Sequence, residues 1–433
     1  MRSMWRGSWC DETGLNPKKR YTTVYLCTIM EIRGEEIKEI RKEGELMAGI
    51  SVDISQGLLE WLADKIDIDK IKGETVDIFN KWVNGEKKPT FSQIEKFSKE
   101  TKIPLGYFFL QQPPEESFDI LEYRTIESIE LQNPSRNLLD TINNMQSVQD
   151  WMREYLISEQ SDKLSYVGSL ANEKDVNRIA LEMRTELGLP IDWFSSVKDS
   201  WEAFKMLREH FESSGIIVMV NGVVGQNTHR KLDVKEFRAF TLVDEYAPLI
   251  FINASDSKSG KLFSLVHEAV HIWLGVDSLY NGTLGNEQVS DVETICNAVA
   301  AEILVPQTAF ERYWGAREHE EELFETIARV AKIFNCGSIV IARRALDNDF
   351  ISKKNYEEIV SQAIAAYQNS EGKKESGGHY YNTAGVRFDK RFIIALDNSI
   401  HSGKTLFTEA YRLTGTNRTT FSKIADNARG IDV

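Results

Sequence analysis

Between Lys261 and Leu274 (KLFSLVHEAVHIWL) apolar side chains recur almost all the way round a helical wheel, yet His267, Glu268 and His271 stand among them. The pattern predicts a helix, and Gly275 directly after it predicts a left-handed cap at its end. A helix that is apolar on nearly every side is buried. Ionisable groups inside it need partners, because an unsatisfied polar group in an apolar interior costs about 2–7 kcal/mol. The fold must therefore bring partners to these three residues. Four residues rotate a helix by about 400°, so the two imidazoles lie about 40° apart on one face, one turn along the axis. That spacing lets both ring nitrogens reach one zinc ion at about 2.0–2.1 Å. Glu268 falls beside such an ion, where it can take a proton from a bound water. The bland alternative is a pair of satisfied core histidines with an exposed glutamate.

Two histidines and a water leave one protein ligand to find. The next helical stretch, Asp291 to Pro306 (DVETICNAVAAEILVP), supplies it. Glu293 and Asn297 are one turn apart and face the same way, so Glu293 is the expected third ligand. Asn297 is the expected hydrogen-bonding partner that orients a ligand histidine. Glu302 lies nine residues beyond Glu293. That separation rotates it by about 900°, to the opposite face, which makes it the weaker ligand candidate.

The rest of the chain bounds the setting. Its 433 residues exceed one ordinary domain, and the net charge of −14 excludes a general nucleic-acid coat, so any DNA contact has to come from a local patch. Four cysteines, Cys10, Cys27, Cys296 and Cys336, show no C-x-x-C spacing and exclude a disulfide scaffold. No apolar run reaches the roughly 20 residues of a membrane span, and the N-terminus has no apolar signal segment, so a cytoplasmic protein is expected. Residues 1–33 read as a tail and 34–112 as short helices joined by tight turns. Gly85 is placed to close one helix and Thr90 to cap the next. Residues 113–174 read as a linker and helical connector, 175–350 as the core that carries the motif, and 351–433 as an accessory domain. Strands are expected at GIIVMV, at APLIFIN and from Phe237 to Val243. The fold class is mainly α with a small β-sheet (α+β).

Two resemblances sharpen this reading. "LLEWLADKI…IFNKWVNGEKKPTFSQIEKFSKETKIPLGYFFL" resembles the helix-turn-helix domain of phage-repressor-like regulators, which implies contact with double-stranded DNA. Residues 59–110 nevertheless contain nine acidic and nine basic side chains, and the reading helix carries Glu74 and Asp77 against Lys81 alone. A neutral module of this kind binds phosphates weakly or packs on a protein instead. "FSLVHEAVHIWLG" with "VETICNAVAAEILVP" resembles the ImmA/IrrE family of metallopeptidases. The resemblance implies a zincin-like core in which His267, His271 and Glu293 hold Zn2+ and Glu268 is the general base. Ala300, Ala301, Leu304 and Pro306 match the family's packing signature. Cys296, where the family usually has alanine, is expected to be a small buried residue.

The function implied is that of a cytosolic regulatory endopeptidase cutting a protein partner, such as a repressor or a toxin–antitoxin component. The alternative is a DNA-binding regulator or antitoxin whose peptidase fold binds a partner without cleaving it. Three further expectations attach to the sequence. The strand from Phe237 to Val243 either holds an extended peptide at a sheet edge or is a core strand. His229, Arg238 and Tyr280 are candidates for stabilising an oxyanion. "LFETIARVAKIFNCGSIVIARRALDNDFIS" (323–352) reads as a second helix-turn-helix shape that packs on the core, with Arg343 and Arg344 solvated.

Overall fold

The computed structural model describes residues 51–66, 71–114, 134–280, 291–316, 321–370 and 386–431. The tail at 1–33, residues 34–50 of the segment read as short helices, residues 115–133 of the linker and connector, and residues 371–385 lie outside them. The chain divides into two compact units, Met1–Glu116 and Ser117–Val433.

Among the described residues of the first unit, helices α1 (Gln56–Lys65), α2 (Gly73–Val83) and α3 (Phe91–Thr101) precede a 3-10 turn at Leu105–Phe109. Gly85 takes the left-handed conformation after α2, as its position implied. Thr90 forms a reciprocal capping box: its hydroxyl accepts from Gln93 N at 3.4 Å, and the Gln93 side chain accepts from Thr90 N at 3.0 Å. Phe79 and Phe97 stack at 4.9 Å with Trp82 against them, so one apolar stripe per helix closes the core. The outward face of α2 presents Glu74, Asp77, Asn80 and Lys81.

The second unit runs α4 (Arg136–Ser158), α5 (Val176–Leu187), α6 (Ser200–Ser213), β1 (Ile217–Asn221), β2 (Val223–Val224), β3 (Asn227–Lys231), β4 (Ala239–Leu242), β5 (Leu249–Asn253) and α7 (Lys258–Leu274). It continues through β6 (Ser278–Tyr280), α8 (Asp291–Leu304), α9 (Gln307–Gly315), α10 (Leu323–Ile333), α11 (Ser338–Asp347) and α12 (Lys353–Ser370). The last three helices are α13 (Lys390–His401), α14 (Phe407–Thr414) and α15 (Arg418–Ala428). The three expected strands form one mixed sheet with β6, in the order β1-β5-β4-β6; β1 is parallel to β5 and the other pairs are antiparallel. The β2–β3 hairpin is an addition.

Because side chains alternate across a strand, the sheet divides two cores. Val218, Val220, Ala239, Ile250 and Ile252 pack with α5 to α11. Ile217, Met219, Phe240, Leu249 and Phe251 pack with α4 and with α13 to α15. Helices from the segments read as connector and accessory domain thus share the second core with the sheet. Helix α7 ends at Gly275 with φ +71°, where an added Cβ would meet Gly168 Cα at 2.9 Å. Only glycine fits there, and the close approach seats the end of the motif helix on the loop before α5.

Among the described residues no helix is long and apolar enough to cross a membrane.

Candidate metal centre

Helix α8 packs along α7 and brings Glu293 over the two histidines. His267 Nε2 and His271 Nε2 are 3.3 Å apart. The Glu293 carboxylate reaches both rings, with Oε2 at 3.1 Å from His267 and Oε1 at 3.4 Å from His271. Ligand atoms from the three residues all lie within 4.8 Å of one another. Both imidazoles are buried, while the Glu293 side chain keeps a third of its surface open. Burial, reinforced by the neighbouring His267, pushes the His271 pKa down to about 3, so the ring is neutral and offers a lone pair. Burial also works against charge on His267, but the hydrogen bond and charge of Glu293 outweigh it and raise its pKa. The Asn297 side chain acts on the His267 pKa in the same direction as Glu293, while His267 Nδ1 makes no hydrogen bond among the described residues. More lone pairs converge here than the available protons can serve, and a divalent cation serves them all. Two imidazoles and one carboxylate are the donor set of a catalytic zinc site that keeps one position open.

Glu268 is fully buried, which excludes the exposed glutamate of the bland alternative. Thr241 Oγ1 donates to its Oε2 at 2.6 Å, and Ser278 Oγ donates to the same oxygen. Thr241 and Ser278 sit directly opposite each other in the β4–β6 ladder. Thr241 lies on the face of β4 that meets α7, beside Ala239 and opposite Ile250. Burial raises the Glu268 pKa to about 7, against the opposing effects of His267, Ser278 and Thr241. Oε1 is buried and makes no hydrogen bond among the described residues, which leaves it as an acceptor. Sequence reasoning missed both hydroxyls. The one signal for Thr241 was a lone polar residue at an inward position of an apolar strand; Ser278 offered none.

The other expectations resolve individually. Glu302 is turned away from the histidines: it pairs with Arg344, accepts from Gln307 N and faces Arg184 at 3.9 Å. Arg344 is therefore not solvated, a correction whose cause is a buried counter-charge on α8; Arg343 does remain half exposed, paired with Asp347 at 2.9 Å. Burial holds the Cys296 thiol well above its ordinary pKa, so it is an inert packing residue. Strand β4 is bonded to β5 on one side and to β6 on the other and is wholly buried. It is a core strand with no free edge for a peptide over 239–241. Arg238 is committed to Asp256 at 2.9 and 3.1 Å, and His229 is exposed on the β2–β3 hairpin. The Tyr280 side chain lies outside the described residues.

Residues 212–346 match the family model described as the IrrE N-terminal-like domain, of the M78 metallopeptidases. Residues 388–427 match a family described as a domain of unknown function (DUF8813). No curated protein matches the chain with significance. The matched stretch begins within α6 and ends within α11, so it contains the sheet, the three metal-binding candidates, Glu268 and both hydroxyls.

Proposed function

We propose that the chain is a zinc-dependent endopeptidase of the cytoplasm that regulates by cutting a protein partner. The observation that carries this is the convergence of His267, His271 and Glu293 within 4.8 Å, beside a buried Glu268. Zinc held there would polarise a peptide carbonyl and acidify a water. The protein's own part falls to Glu268. Thr241 and Ser278 hold Oε2, so Oε1 faces the reaction as the proton acceptor. A carboxylate whose pKa is raised to about 7 can accept the proton of the attacking water and return it to the leaving amine near neutral pH. Asn297, beside Glu293 on α8, is read as a neighbour of His267 that favours its protonated ring. The N-terminal helices are read as the module that docks the partner or an operator, with a repressor or a toxin–antitoxin component as the class of substrate.

The test is Glu268→Gln, assayed with the wild type against a library of natural-length peptides while zinc content is followed. The wild type should cleave and the variant should not, with zinc retained in both. Cleavage by the variant at the wild-type rate would remove Glu268 from the mechanism. Zinc-loaded wild type that cuts nothing would favour the binding-only regulator.

A further inference from the structure

The segment from 386 to 431 is locally basic in an acidic chain. Residues 386–431 hold eight basic and four acidic side chains, a net of +4 inside a chain of −14. Asp389 is fully buried, Asp397 and Arg429 offset each other as an ion pair at 2.7 Å, and Lys404 is paired with Glu159 at 2.7 Å. Arg412 and Arg418 are exposed and have no ion pair among the described residues.

The geometry under these charges is specific. Helix α14 ends at Thr414, and α15 begins at Arg418 after the three-residue turn Gly415-Thr416-Asn417. Gly415 has φ +64°, so the turn uses the left-handed residue that a tight helix–helix junction needs. Helix α13 packs against both, and α15 buries Thr420, Phe421, Ile424 and Ala425. That seating leaves Asn417, Arg418, Thr419 and Ser422 exposed at the start of α15. The Asn417 side chain oxygen caps the helix, accepting from Thr420 N at 2.9 Å, and its amide group stays available as a donor.

From this arrangement we propose that α14 and α15 form a helix-turn-helix that binds double-stranded DNA, with α15 entering the major groove. In such modules the first residues of the second helix meet the base edges. Arginine reads guanine, asparagine reads adenine, and serine and threonine serve either, and these are the residue types that α15 exposes. Arg412 on α14 lies on the element that crosses the phosphate backbone. The N-terminal bundle offers no comparable surface: residues 59–110 are neutral, and α2 exposes Glu74 and Asp77. The proposal is independent of the metal centre and stands whether or not the peptidase turns over.

Fluorescence anisotropy of the full chain with a labelled 30-base-pair duplex of mixed sequence tests it, at 50 and 200 mM salt. With about four phosphates neutralised, affinity should fall roughly 100-fold between the two salts. Arg412→Ala with Arg418→Ala should weaken binding at least about tenfold at low salt and reduce the salt slope by about 2. Arg418→Gln alone, on an exposed side chain, should give part of that loss with an unchanged circular dichroism spectrum. Lys81→Ala in the N-terminal bundle should change nothing. Absence of wild-type binding at 50 mM overturns the proposal. So does undiminished binding by the double variant, or a loss on Lys81→Ala that places the duplex on residues 51–110.

Discussion

Glu302→Ala separates the two glutamates of α8 and can be measured without knowing the substrate. Glu302 is nine-tenths buried, pairs with Arg344 and also meets the N–H of Gln307 at 3.2 Å, where α9 begins. Arg184 donates to its backbone carbonyl and lies 3.9 Å from its carboxylate. Removing this single carboxylate takes the counter-charge from two buried guanidinium groups, which keep only their bonds to neutral carbonyls. Breaking a buried pair by removing one partner costs about 3–5 kcal/mol. At an unfolding entropy of about 2.1 cal/mol/K per residue over roughly 300 residues, the expected fall in Tm is about 5–8 °C. Glu302→Gln keeps the shape and an acceptor for Gln307 N, and should cost about 1.5–3 kcal/mol. Urea denaturation followed by circular dichroism gives the free energies, and metal analysis of the same samples gives the second readout. Both variants should retain their metal at the temperature of measurement. A Glu302→Ala protein within about 0.5 kcal/mol of wild type would refute the counter-ion argument. A folded Glu302→Ala protein that had lost its metal would make Glu302 a ligand and overturn the assignment of Glu293.

Three other expectations follow from the same physics. Thr241→Val removes a hydrogen bond to the charged Glu268 carboxylate, worth about 1.5–3 kcal/mol, so the pKa of Glu268 should rise by about 1–2 units. The acid limb of kcat/KM should move up in pH by that amount, and an unmoved limb would show that Thr241 does not act through Glu268. Glu212, bonded to Arg208 in the interior, has a folded pKa raised from 4.5 to about 7 by burial first and by Asp389 second. The native state therefore holds a proton that the unfolded state has lost, so stability should fall as pH rises from about 4.5 to 7. Glu212→Gln should flatten that slope in urea titrations across this window, and an unchanged slope would assign it elsewhere. Gly275→Ala puts a Cβ on a backbone with φ +71°, 2.9 Å from Gly168 Cα, and should cost more than about 1 kcal/mol in thermal unfolding; a neutral result would refute the close packing.

What the sequence made legible was what local spacing controls. His267, Glu268 and His271 are fixed relative to one another by one helix, and Glu293 is carried by the next, so the candidate ligands and the buried carboxylate could be read from four letters. The capping residues Gly85 and Thr90 were legible for the same reason. What stayed hidden is set by pairings across long separations. Ser278 meets Glu268 only because a three-residue strand returns beside β4, and Arg344 meets Glu302 across 42 residues. The strand at Phe237–Val243 was read correctly as a strand, but whether its edge was free depended on β6, too short to announce itself. The motif helix is so apolar because it lies between the sheet and helices on its other sides, a setting in which only the metal-directed and sheet-directed polar groups survive.

The central claim, that His267, His271 and Glu293 hold one catalytic zinc ion, is met most directly by metal analysis of the purified wild type beside Glu293→Ala. The account requires about one zinc per wild-type chain and its loss from a variant that remains folded. A wild type that takes up no metal when zinc is supplied, or a Glu293→Ala protein that keeps its full complement, would contradict it.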